Sequence, residues 1–153
     1  MRRFFQKFLL LLMLLCLVLG DGRVHSAEWK KHVVHTGMHT VNAVAADFTG
    51  DKKVDIIANS GGKTRLFVGP DWTETIIESD PAHTCIHSEF LDVDRDGDLD
   101  WVGARYQPGL VYWLECPKKP LKQAWKFHLV DDQVNGIHGL LKGDVDGDGR
   151  PDL

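Results

Sequence analysis

Past its first 26 residues the chain places apolar positions in short runs broken by turn-forming residues. Val54 to Ala58, Thr64 to Val68, Leu99 to Tyr106, Leu110 to Leu114 and Trp125 to Val130 are rich in β-branched and aromatic residues, and each has a strand's length. Between them stand Ser60-Gly61-Gly62-Lys63, Gln107-Pro108-Gly109 and Asn135-Gly136. These are turn sequences, since Pro pre-sets φ and Gly accepts the left-handed region. Pro117 to Leu121, with two prolines and with three lysines from Lys118 to Lys122, reads as an exposed connector. No run beyond the leader has the 3.6-residue period of a helix, so the pattern predicts an all-β chain.

The runs repeat. Trp29 precedes Asp47 by 18 residues, Trp72 precedes Asp92 by 20, and Trp125 precedes Asp144 by 19. Each Trp opens a similar stretch: Trp29 to Val34, Trp72 to Ile77 and Trp125 to Val130. All three are expected as strands, with the tryptophans packing between units. The three Asp positions lie 45 and then 52 residues apart. That period suits a four-stranded propeller blade and is far too long for nonapeptide repeats.

Each repeat centres on an acidic loop. Asp92 to Asp100 reads DVDRDGDLD, with Asp at loop positions 1, 3, 5 and 9 and Gly at 6. Asp144 to Asp152 reads DVDGDGRPD, and Asp47 to Asp55 reads DFTGDKKVD. One such loop reads equally well as a solvated turn. Three copies point to a hard cation, because clustered carboxylates repel one another and Ca²⁺ takes six to eight oxygens from this spacing. The expected ligands in the second loop are the side chains of Asp92, Asp94, Asp96 and Asp100, with the Asp98 carbonyl. In the third they are Asp144, Asp146, Asp148 and Asp152, with the Arg150 carbonyl. In the first they are Asp47, Thr49, Asp51 and Asp55, with the Lys53 carbonyl. The first loop has one carboxylate fewer and should bind more weakly. An EF-hand is excluded: position 12 is Ala58 or Gly103, not Glu, and the flanks read as strands.

The run from Asp92 to Glu115, DVDRDGDLDWVGARYQPGLVYWLE, resembles the FG-GAP repeat, also grouped with VCBS-type repeats. Gly103-Ala104 match the Gly-Ala-Pro of that pattern, but Arg105 stands where the Pro would be. Gly109, Val111 and Tyr112 match the segment after the turn, and Asp144 to Leu153 matches the loop itself. The resemblance implies β-propeller blades of four antiparallel strands, with calcium in the loop joining the first two strands of a blade. As given, the chain would hold about two and a half blades. A seven-bladed ring at this period needs roughly 300 residues, so the chain is expected to be a fragment or a subunit that completes its ring with others.

Composition changes the picture at the N-terminus. Arg2, Arg3 and Lys7 precede an apolar run from Phe8 to Gly20, and Val24-His25-Ser26 offers a cleavage site. Residues 1–26 therefore read as a secretory signal peptide and residues 27–153 as the repeat region. The apolar run is short for a ~20-residue membrane span, so no stable span is expected after cleavage. Without the leader, 18 basic and 22 acidic residues become 14 and 21, net −7. That balance argues against a nucleic-acid partner. The expected compartment is secreted or periplasmic. Cys85 and Cys116 could pair there, or could be two separate buried thiols.

His87 and His138 both lie shortly before an Asp loop, on the expected first strand of a blade. Either they bond neighbouring backbone, or they line a channel as in propeller-fold polysaccharide lyases. No nucleophile elbow, phosphate loop or zinc spacing occurs. The sequence thus reads as an exported calcium-binding scaffold whose ligand, an unknown protein or carbohydrate, is not encoded in any motif. A lyase or hydrolase fragment is the alternative.

Overall fold

The computed structural model describes residues 28–153. The expected leader and its cleavage point lie outside them. The chain divides into two compact units, Met1–His32 and Val33–Leu153, each taken by itself. Of the first, residues 28–32 are described and carry no regular structure.

The second unit is all-β, as the apolar runs predict. Its strands are β1 (Thr40–Ala46), β2 (Asp55–Ser60), β3 (Lys63–Val68), β4 (Thr73–Glu78), β5 (His87–Leu91), β6 (Asp100–Arg105), β7 (Leu110–Glu115) and β8 (Lys126–Asp131). They form two four-stranded sheets in plain chain order, β1 to β4 and β5 to β8. All pairings are antiparallel. These are two open blades. Between them Pro81–His83 forms one 3₁₀ turn, whose first amides are capped by the Asp80 carboxylate (Ala82 N donates at 2.8 Å).

Two local expectations are corrected. The run from Trp29 to Val34 is not a strand, and Trp29 is 98% exposed. Its composition favours a strand, but among the described residues no neighbour pairs its amides, and an unpaired strand gains nothing from that propensity. Gly109 does not take the left-handed conformation expected for its turn. It is small for another reason: an added Cβ would sit 1.7 Å from the Val134 carbonyl oxygen. The Asn135 side chain binds the Gly109 amide at 2.7 Å, which ties the β6–β7 turn to the segment after β8.

Period-2 alternation decides how the blades meet. Val44, Ile57 and Leu66 lie side by side across β1, β2 and β3. Phe90, Trp101, Leu114 and Phe127 do so across β5 to β8. These two rows join one core with Phe48, Tyr112 and Trp125. The facing sheets thus bury each other's apolar sides, and each fully buried large aliphatic or aromatic side chain contributes roughly 1.5–3 kcal/mol. Trp101 is fully buried here, so it packs between blades and cannot serve as a sugar platform.

Polar groups fix the register of one blade on the other. Asn42 of β1 donates to the Cys85 carbonyl at 3.2 Å and accepts from Ser88 Oγ at 2.8 Å. His83 stacks on Phe127 with ring centroids 4.0 Å apart, and its Nδ1 lies 3.1 Å from Glu78 Oε2. The Tyr112 hydroxyl donates to the His83 carbonyl. Cys85 and Cys116 are separate, free and buried, which decides between the two readings of the cysteines. Burial pushes both thiols up to about 12, so they stay protonated and unreactive.

Gly103 shows how closely this interface is packed. A Cβ there would lie 2.6 Å from the Trp101 ring and 3.1 Å from that of Tyr112. Neither ring has room to move, since both are fully buried. Gly103→Ala should therefore lower stability by about 1–3 kcal/mol. Denaturant unfolding will check this, with an unchanged slope showing that the unfolded surface is the same.

Candidate metal centres in the Asp loops

Each Asp loop folds in the same way although the sequences differ. Positions 4 and 6 are left-handed in all three: Gly50 and Lys52 (φ 74° and 67°), Arg95 and Gly97 (65° and 94°), Gly147 and Gly149 (78° and 82°). Lys52 and Arg95 hold this conformation without being glycine, at a cost L-residues normally avoid. The cause is the position-1 carboxylate. Asp92 accepts from the amides of Asp96 (3.0 Å) and Gly97 (3.1 Å). Asp144 accepts from Gly147 (2.8 Å) and Gly149 (3.0 Å). Asp47 accepts from Gly50, Asp51 and Lys52 at 2.8–3.1 Å. The loop curls around its own first side chain.

The position-9 carboxylate works differently. Asp55 is fully buried. Its Oδ2 accepts from the amides of Phe48 (3.1 Å) and Thr49 (3.0 Å), and its Oδ1 from that of Gly69 (3.0 Å). Asp100 repeats this with Val93 (2.9 Å) and Cys116 (2.8 Å). One side chain therefore joins the loop, the start of the second strand and the residue just past the third. Asp152 keeps the loop half of the arrangement, accepting from Val145 at 2.8 Å. The backbone pair Gly143–Asp152 closes that third loop.

Two of the loops gather carboxylate oxygens. In the second, oxygens of Asp92, Asp94 and Asp100 lie within 4.8 Å of one another; in the third, those of Asp144, Asp146 and Asp152 do so. Two ligands on opposite sides of a Ca²⁺ ion at 2.3–2.6 Å are about 5 Å apart. The oxygen-only sets at positions 1, 3 and 9 therefore fit such an ion in size and chemistry.

Position 5 stands apart, a point the spacing did not reveal. Lys118 Nζ lies 2.8 Å from Asp96 Oδ2 and 3.1 Å from Asp98 Oδ2. Lys53 pairs with Asp51 at 3.1 Å, and Arg150 pairs with Asp148. In all three loops the position-5 carboxylate sits against a basic side chain. Those contacts hold the carboxyls of Asp96 and Asp148 below the usual range, while the Lys53 amide does most of the same for Asp51. The first loop forms no such carboxylate group: Asp47, Asp51 and Asp55 are spent on amides and Lys53, and Thr49 Oγ1 is buried without a partner.

Residues 92–153 match the family model described as FG-GAP-like repeat. This part of the chain is an FG-GAP-like repeat region. It holds the second and third Asp loops, and the shared dihedral pattern extends the repeat geometry back to the first. Neither a curated protein nor a solved structure matches the chain.

His87 and His138 act separately. His87 Nδ1 accepts from the Leu140 amide at 3.0 Å, a backbone-bonding role. His138 packs against Tyr106 with centroids 4.8 Å apart and the rings tilted by 51°. Among the described residues no helix is long and apolar enough to cross a membrane.

Two outcomes follow from the carboxylate geometry. Asp55→Ala leaves two buried amides and one part-buried amide without a partner, at about 1–3 kcal/mol for each buried one, so it should unfold or severely weaken the protein even in chelator. Asp94→Ala, at an exposed position, should stay within about 0.5 kcal/mol under the same conditions. Denaturant titration in chelator separates the two. Burial, reinforced by Asp94 and Asp96, raises Asp100 from 3.8 to about 6. The folded chain then keeps this proton over a range where the unfolded chain has lost it. Its contribution to stability is greatest at low pH and declines from about pH 4 to about pH 6. Melts in chelator across that range should show this decline, and Asp100→Asn should remove it.

Proposed function

We propose that the protein is an exported, calcium-binding repeat scaffold in which Ca²⁺ staples the first hairpin of each blade. The observation that carries this reading is the collection of position 1, 3 and 9 oxygens in the second and third loops. Clustered carboxylates at this distance repel one another, and a divalent ion turns that cost into attraction. In this reading Asp92, Asp94 and Asp100 hold one ion and Asp144, Asp146 and Asp152 another. Asp96 and Asp148 add ligands by exchanging their basic partners for the metal. The first loop, built from Asp47, Thr49, Asp51 and Asp55, is the weakest site. Its carboxylates already serve the backbone.

The role is structural. No nucleophile–base pair is assembled among the described residues, and the interlocked blades offer a rigid body for presenting surfaces to a partner. Export follows from the basic, apolar and small-residue order of residues 1–26. Outside the cytoplasm, calcium at millimolar levels would keep sites of this class filled, since extracellular modules bind at about 10⁻⁴ to 10⁻³ M.

Calorimetric titration tests the reading. Two ions should bind, with a third weaker or absent. Calcium should raise the melting temperature and chelator should lower it. Asp94→Ala should abolish one binding event while leaving the other. A protein whose melting temperature ignores calcium would overturn the proposal.

A further inference from the structure

Turns along a meander alternate between its two ends. The Asp loops occupy one end of the blades, and the β2–β3 and β6–β7 turns occupy the other. At that far end a cavity of about 350 Å³ opens between the blades. Its walls are tied by backbone bonds: Gly61 N to His39 O at 3.0 Å, Ile86 N to Ala104 O at 2.9 Å, and Gly136 N to Tyr106 O at 2.9 Å. It is therefore formed in advance of any ligand.

The chemistry of the lining is one-sided. Val41, Ile86 and the Tyr106 ring supply apolar surface, while Arg105 and His39 supply basic groups. No acidic side chain lines it. Arg105 is the residue that departs from the Gly-Ala-Pro pattern at the end of β6. A Pro there could offer neither charge nor donor. The Ala82 carbonyl takes a hydrogen bond from Arg105 Nη1 at 2.6 Å, which anchors the guanidinium. That bond uses one of the five N–H groups of an arginine fork. A pre-anchored fork beside apolar walls is suited to a carboxylate on a compact apolar body.

We propose that this interblade cavity binds a small apolar carboxylate, with Arg105 reading the carboxylate and Val41, Ile86 and Tyr106 enclosing its body. The site is independent of the Asp loops and stands whether or not they bind calcium.

The test compares phenylacetate with its neutral counterpart 2-phenylethanol by calorimetry or ligand-observed NMR on the protein. Phenylacetate should bind with a Kd of about 1 mM or tighter, and the alcohol about tenfold or more weakly. Arg105→Gln should cut phenylacetate binding about tenfold and leave the alcohol unchanged. Val41→Trp, at a rim position that is 44% exposed, should fill the cavity and remove both. Equal binding of acid and alcohol, no binding of the acid, or full retention by Arg105→Gln would each overturn the proposal. If Arg105→Gln does not fold, the acid-to-alcohol ratio in the wild type and the effect of Val41→Trp decide.

Discussion

The blades depend on a buried carboxylate. Asp55 and Asp100 have almost no contact with solvent, yet each is solvated by amides from separate parts of its blade. Burying an unpaired carboxylate would cost far more than the fold could supply. The chain meets that constraint by aiming N–H groups from the loop and from beyond the third strand at a single side chain. The same bonds that solvate the acid hold three segments in register. The same bonding recurs from one blade to the next although their apolar residues differ.

The apolar face follows from that register. With position 9 fixed at the start of the second strand, the residues of β2 and β6 alternate from a defined origin. Ile57 of β2 and Trp101 of β6 thereby turn toward the space between the sheets. A slip of one residue would send each to the opposite face. The interface then needs little else: a few polar links, Asn42 with Ser88 and His83 with Glu78, select one relative position among the many that apolar packing would tolerate. Gly103 marks where two large rings leave no space for a methyl group.

The two ends of the blades carry different chemistry for a simple topological reason. A meander sends its β1–β2 and β5–β6 acidic loops to one end and its β2–β3 and β6–β7 turns to the other. The acidic end concentrates negative charge that basic side chains, Lys118 above all, partly neutralise. The opposite end carries Arg105 and His39 around an apolar cavity. One architecture thus presents an acidic face and a face with basic groups around an apolar cavity, without any change in the strands between them.

The sequence by itself determined the strands, the turns and the positions of the Asp loops, because these rest on local alternation and on residues with special backbone demands. β6, β7 and β8 start and end within a residue of where the apolar runs place them. Asn135-Gly136 forms a turn, with Gly136 at φ 79°. Spacing also marked Asp92, Asp94 and Asp100 as a set, since a nine-residue loop brings its own members together. The tertiary structure alone decided what depends on partners far apart in the chain. Trp29 to Val34 has strand composition and no strand beside it. Cys85 and Cys116 lie buried in one core as unpaired thiols. The dual engagement of Asp100 requires Cys116, and the neighbour of Asp96 is Lys118, which reads in sequence as part of an exposed connector. The cavity beside Arg105 exists only because two turns and a linker converge, and no local pattern encodes the empty space between them.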